Sequence, residues 1–170
     1  MSNLVELKIL ITKMSAKQFE YINKDFEVLN PDKLKIACVV SEWHNEITEK
    51  LLNGAKNILT KNGVKEKNIS KINVPGSFEL IFACKNLINK DFDAVIAIGC
   101  IIQGETRHFE FVSNAVLNGI KDLNIISDIP IILCVSTDDN ISQSIDRSGG
   151  KYNKGEDSAI AALKMITFNQ

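Results

Sequence analysis

The chain has 170 residues, enough for one domain with a full core and a short tail. Hydrophobic residues make up 45% of it and charged residues 24%, a globular balance, and the formal net charge is −1. That charge excludes a general electrostatic attraction to nucleic acid or to an anionic membrane, so any anion site has to be local.

Residues 1–33 read as an N-terminal extension and residues 34–170 as the domain. Residues 7–11 (LKILI) read as a short strand, but the extension is too small to hold a core of its own. Asn30-Pro31-Asp32 is a turn signal that ends whatever precedes it. No secretory signal pattern opens the chain, and no apolar run reaches membrane-spanning length. Strands are predicted over 34–40 (LKIACVV), 69–74 (ISKINV), 94–102 (AVIAIGCII) and 130–136 (PIILCVS). The first, third and fourth are almost continuously apolar, which suits parallel strands covered on both faces. The second is weaker and alternates.

Helix-period segments separate these runs. Residues 46–62 place Ile47, Leu51, Ala55, Ile58 and Leu59 on one face, with Asn45 as N-cap and Gly63 as the stop. Residues 78–88 carry Phe78, Ile81, Phe82, Leu87 and Ile88, and residues 108–123 carry Phe109, Val112, Val116, Ile120 and Leu123. A short helix is predicted over 141–147 and a longer one over 154–168. The alternation predicts an α/β fold, with helices on both faces of an open parallel sheet and right-handed crossovers. Ligands of such sheets bind beyond the carboxyl ends of the strands. Here those ends carry Ser41-Glu42-Trp43-His44, Pro75-Gly76-Ser77, Gln103 to His108, and Ser136-Thr137-Asp138. Polar and catalytically able residues collect at all four.

The four cysteines, Cys38, Cys84, Cys100 and Cys134, include no C-x-x-C pair, and only two histidines are present. No Cys/His cluster has metal-ligand spacing, so the expectation is reduced, mostly buried thiols in a cytoplasmic protein without a metal site.

Individual motifs admit two readings. Gly104-Glu105-Thr106 opens a helix, where unpaired N–H groups and the helix dipole suit a phosphate. It is also compatible with an ordinary strand-to-helix turn capped by Thr106. No G-x-G-x-x-G and no Walker sequence occurs, which argues against dinucleotides and ATP. His108 lies at the start of the same helix and suits proton transfer on a phosphorylated substrate; a surface histidine is the other reading. Trp43, the single tryptophan, is placed to stack on a flat heterocycle or to cover the sheet end. His44 reads as structural or solvent-facing. Arg147 and Lys154 flank a Gly-rich connection and read as phosphate ligands or as solvated surface charges.

Several of these segments together resemble the lumazine synthase family. The resemblance covers about residues 35–165. It rests on Val40-Ser41-Glu42-Trp43 with Glu46-Ile47-Thr48, on Val74-Pro75-Gly76-Ser77-Phe78-Glu79-Leu80, on the run from Gly99 through Gly104-Glu105-Thr106-Arg107-His108 to Phe109, and on Asn153-Lys154-Gly155. It implies a flavodoxin-like three-layer α/β/α sandwich with a four-stranded parallel sheet. It implies condensation of 5-amino-6-(D-ribitylamino)uracil with 3,4-dihydroxy-2-butanone 4-phosphate, without a cofactor, in the penultimate step of riboflavin biosynthesis. It implies His108 as the catalytic proton-transfer group. Trp43, Ser77, Phe78, Glu79, Cys100, Ile101, Ile102 and Leu133 match the family's pyrimidine and ribityl pocket. Glu105, Thr106, Arg147 and Lys154 match its phosphate site, with Arg147 reaching in from an adjoining subunit. The resemblance also implies a homopentamer with sites at subunit interfaces, 60-subunit shells in some members, and riboflavin synthase as a further candidate partner.

Three departures from the family pattern stand out. Leu133 replaces a frequent phenylalanine, Ala115 replaces a common glutamate, and the connection from Arg147 to Lys154 is one residue shorter than in many relatives. Two other functions fit the same fold: a non-catalytic flavin-binding module, and a structural shell subunit. The first is opposed by His108 beside an intact phosphate turn, the second by a site that has not decayed.

Overall fold

Strands that are apolar along their whole length need cover on both faces, and the sheet provides it. The computed structural model describes residues 26–168 and contains four strands: β1 (Ile36–Ser41), β2 (Ile69–Val74), β3 (Ala94–Ile102) and β4 (Ile131–Asp138). All pairings are parallel, in the order β2-β1-β3-β4. The central β1 is buried at every position, and β3 at all but its last two. At the edge, β2 is buried only at its two ends, Ile69 and Val74, which is why polar residues interrupt its sequence.

Five helices complete the fold: α1 (Asn45–Lys61), α2 (Leu80–Leu87), α3 (His108–Ile126), α4 (Ile141–Arg147) and α5 (Lys154–Phe168). Successive residues of a strand point to opposite faces, so the sheet feeds two cores. Ile36, Cys38, Val40, Ile96 and Ile98 meet Leu51, Leu59 and Leu163 of α1 and α5. Ala37, Val39, Val95, Ala97 and Val135 meet Leu80, Val116 and Ile120 of α2 and α3. Each fully buried Ile or Leu contributes about 1.5–3 kcal/mol relative to an exposed one. The result is the expected flavodoxin-like three-layer α/β/α sandwich. Between α1 and α5 the approach is close enough to require glycine. A Cβ on Gly155 would lie 1.8 Å from the carbonyl oxygen of Leu51.

Some predicted boundaries move. The first strand begins at Ile36 rather than residue 34, and β4 runs on to Asp138. The helix expected over 78–88 begins at Leu80, because Ser77 to Glu79 form the turn that leads into it. Phe78 therefore falls outside the helix, and Phe82 lies on the face opposite buried Leu80 and Cys84; both are exposed. The N-cap of α1 is His44 in left-handed conformation (φ 59°), not Asn45. The turn at Asn30 is present, with Asn30 at φ 48° and a single 3-10 turn over Pro31–Lys33. The strand expected over 7–11 lies outside the described residues.

Asp157, in the first turn of α5, carries a pH signature. Burial pushes its carboxyl up from 3.8 to about 6, against Lys154, which lowers it; Glu156 adds to the rise. The protonated acid is thus the form the fold favours. Its contribution is fully present below the unfolded value and is lost as pH rises through about 6. The stability of Asp157→Asn relative to the parent should improve by roughly 1–2 kcal/mol between pH 4 and pH 6.5, after discounting for partial exposure, and then level off. Thermal unfolding of both proteins across that range checks it; a constant difference would contradict it.

Candidate functional site

Parallel strands bring their carboxyl ends to one side of the sheet, and three of those ends frame a cleft of about 690 Å³. Its lining includes Trp43 and His44 after β1, Gly76 to Glu79 after β2, Cys100 to Ile102 at the end of β3, and Gly104, Thr106, His108, Phe109 and Val112 at the opening of α3.

The first two ends are laced together. The N–H of Glu42 donates to the Val74 carbonyl (2.8 Å) and that of Trp43 to the Pro75 carbonyl (3.2 Å). Thr48, buried in α1, donates its hydroxyl to the Ser41 carbonyl at 2.8 Å and fixes the helix on the strand end. Trp43 is 70% exposed, so it does not serve as cover for the sheet end. Its ring meets His44 edge-on at 6.3 Å and presents its remaining surface to the cleft.

The second wall depends on a glycine in β3. A Cβ on Gly99 would lie 2.7 Å from Ser77 Oγ and 3.1 Å from Leu80 Cδ1. Without that side chain Ser77 sinks onto the strand, where its hydroxyl donates to the Cys100 carbonyl at 3.4 Å. Phe78 and Glu79 are left accessible at the rim. Burial raises the Cys100 thiol above its ordinary value, and Cys38 and Cys84 are pushed up to about 12. Cys100 therefore faces the cleft as a neutral thiol, not as a nucleophile.

At the third end, residues 103–108 are all exposed. The N–H of His108 donates to Thr106 Oγ1 at 3.4 Å, and the helix N-cap is Arg107, not Thr106. Arg107 is occupied elsewhere: its Nη2 lies 3.1 Å from Glu110 Oε2, and its guanidinium lies over the Phe111 ring. A Cβ on Gly104 would meet nothing within 4 Å. No neighbour in its own chain demands a glycine there.

The cleft thus gathers Trp43, Ser77, Phe78, Glu79, Cys100, Ile101, Ile102, Thr106 and His108. Four other expected residues are not on its lining. Glu105 is exposed in the turn beside it. Leu133 sits mid-strand in β4, half-buried against the core under α2 and α3, because its register partner is Ala97 and not a residue of the strand end. Lys154 opens α5, and Arg147 closes α4, paired with Asp138. His44, Phe109 and Val112 line the cleft without having been singled out as ligands. For Phe109 and Val112 the signal was available: Val112 lies one helical turn beyond both His108 and Phe109 at the start of the same helix. For His44 it was not, since a left-handed N-cap is a backbone feature. Among the described residues, no three His, Cys, Asp or Glu side chains converge to hold a metal ion.

A family model described as 6,7-dimethyl-8-ribityllumazine synthase matches residues 33–170. A Christiangramia forsetii protein named 6,7-dimethyl-8-ribityllumazine synthase is 54% identical over 144 residues, covering 83% of this chain and 86% of its own. A Flavobacterium johnsoniae protein of the same name is 53% identical over 143 residues, covering 83% and 75%. One from Parabacteroides distasonis, also of that name, is 49% identical over 144 residues, covering 84% and 90%.

Proposed function

The chain belongs to the 6,7-dimethyl-8-ribityllumazine synthase family, and from that premise we propose that it condenses 5-amino-6-(D-ribitylamino)uracil with 3,4-dihydroxy-2-butanone 4-phosphate. The products are 6,7-dimethyl-8-ribityllumazine, phosphate and two waters, in the penultimate step of riboflavin biosynthesis. The observation that carries the proposal is the convergence, in one largely apolar cleft, of an exposed Trp, a Ser-Phe-Glu segment and a Thr/His helix start.

Each wall has a task in this reading. Trp43 stacks on the pyrimidine, and Cys100, Ile101 and Ile102 lie along its edge. Ser77, Phe78 and Glu79 hold the ribityl chain, with the Glu79 carboxylate accepting from its hydroxyls. The phosphate sits at the opening of α3, against Glu105 backbone and the Thr106 hydroxyl. A glycine at 104 that its own chain does not need supports close approach of a ligand there. The amine adds to the ketone and expels water, phosphate is eliminated, and the ribitylamino nitrogen closes the ring with loss of the second water. His108, at the cleft edge beside the phosphate turn, moves the protons. Each step needs orientation and proton transfer and no change of redox state.

Arg147 and Lys154 lie away from the cleft lining of their own copy, which supports a site completed by a neighbouring copy, as in a homopentamer. Exposed Phe78, Phe82 and Phe111 near the cleft supply apolar surface for that contact. Ring and 60-subunit shell both fit this surface. All four cysteines are unpaired and buried, which supports action in the reducing cytoplasm. Among the described residues no helix is long and apolar enough to cross a membrane.

The test is turnover. Purified protein mixed with both substrates and a chelator should form the lumazine chromophore and release an equimolar amount of phosphate. Activity abolished by the chelator and restored by a divalent metal would overturn the cofactor-free reading. Absence of product with folded protein would overturn the activity itself.

A further inference from the structure

Asp138, the last residue of β4, has a side chain with no exposed surface. An isolated carboxylate in such a place is costly unless it is paired and hydrogen-bonded. Its two oxygens are held differently: only Oδ2 has hydrogen-bond partners, and Oδ1 has none beyond a cation at ion-pair distance. Oδ2 accepts from the hydroxyls of Ser136 (2.7 Å) and Ser144 (2.8 Å), both buried. Oδ1 lies 3.1 Å from Nε of Arg147, whose side chain remains 43% exposed. Two neutral donors hold the carboxylate still, and its other oxygen draws the inner nitrogen of the arginine by charge, without a hydrogen bond. Both Nη groups are left for a second anion. The backbone around Arg147 is equally constrained. Gly150 and Ser148 donate to the Ile145 carbonyl, Lys151 and Tyr152 to that of Asp146, and Gly149 to that of Tyr152. A flexible side chain fixed at its base and at its nitrogen loses little further freedom when it meets a ligand.

We propose that Asp138, braced by Ser136 and Ser144, is a positioning residue that presents Arg147 to the phosphate of the sugar substrate. This rests on the reading of Arg147 as a phosphate ligand. A purely structural ion pair would affect stability, or both substrates alike. A positioning residue acts on one substrate and only through Arg147.

The experiment measures KM for each substrate and the inhibition constant of inorganic phosphate in Asp138→Asn, Ser144→Ala, Arg147→Ala and the double variant Asp138→Asn/Arg147→Ala. Asp138→Asn keeps the shape but turns an amide toward the guanidinium. It should raise KM for the sugar phosphate about tenfold, within the range of coupled neighbours, with KM for the pyrimidine unchanged. Phosphate inhibition should weaken in parallel. Ser144→Ala should give the same pattern at smaller size, and it decides the matter should Asp138→Asn fail to fold. In the double variant, Asp138→Asn should add nothing to the effect of Arg147→Ala. Equal effects on both substrates, or full additivity in the double variant, would overturn the positioning role. An Arg147→Ala effect with none from Asp138→Asn or Ser144→Ala would overturn that role alone. An unchanged KM for the sugar phosphate in Arg147→Ala would overturn the phosphate-ligand reading, and the positioning role with it.

Discussion

Arg147→Ala is expected to raise KM for 3,4-dihydroxy-2-butanone 4-phosphate by about 10- to 150-fold, the loss of a charged hydrogen-bond partner worth ~1.5–3 kcal/mol. The effect should fall on one substrate, since a planar fork at the end of α4 is suited to an oxyanion and has no role toward a flat pyrimidine. Removing the guanidinium also leaves the buried Asp138 without its cation. Some loss of stability is therefore expected, and the kinetic measurement belongs at a temperature where native mass and circular dichroism match the parent. Steady-state kinetics with each substrate varied in turn provides the test. Equal rises in both KM values would show that Arg147 does not bind the phosphate.

His108→Ala is expected to lower kcat by up to about a hundredfold, with both KM values and the native mass nearly unchanged. General acid–base groups contribute about 10²–10⁴-fold, and the lower end applies where the reactants are intrinsically reactive and orientation supplies much of the rate. The side chain is exposed at the first turn of α3 and packs into neither core, so its removal should leave the fold intact. Full kcat across pH 6–8 would make His108 a surface residue. Loss of activity that tracks dissociation of the oligomer would make its role structural.

The fold was legible because both faces of the sheet are covered. That arrangement writes continuous apolar runs at β1, β3 and β4, and the half-exposed edge position writes a run broken by polar residues at β2. Strand order was not legible, since nothing local distinguishes neighbours in a parallel sheet. Phe78 and Phe82 misled the reading of α2: they fit a helical period with Ile81, yet Phe78 precedes the helix and Phe82 lies on its exposed side. Trp43, Thr106 and His108 were findable because each lies just past a strand end. Ser136 and Asp138 were visible at a strand end too, but their joining to Ser144 and Arg147 was not. In the sequence Ser144 looks like a helix-surface residue. Only the return of α4 over the end of β4 brings it to the Asp138 carboxylate. Likewise, the distance of Arg147 from its own cleft is invisible until the fold is drawn.

In the proposed assembly each site is shared between copies, with the cleft and His108 from one and Arg147 from the next. Co-expressing His108→Ala with Arg147→Ala chains and assaying the purified mixed oligomers tests this directly. Each variant alone is impaired, but in a randomly mixed ring about a quarter of the interfaces join an intact cleft to an intact arginine. The account predicts that the mixed oligomers recover about that fraction of parent activity, well above either variant. Activity no higher than the mean of the two variants, in oligomers shown by native mass to contain both chains, would contradict it.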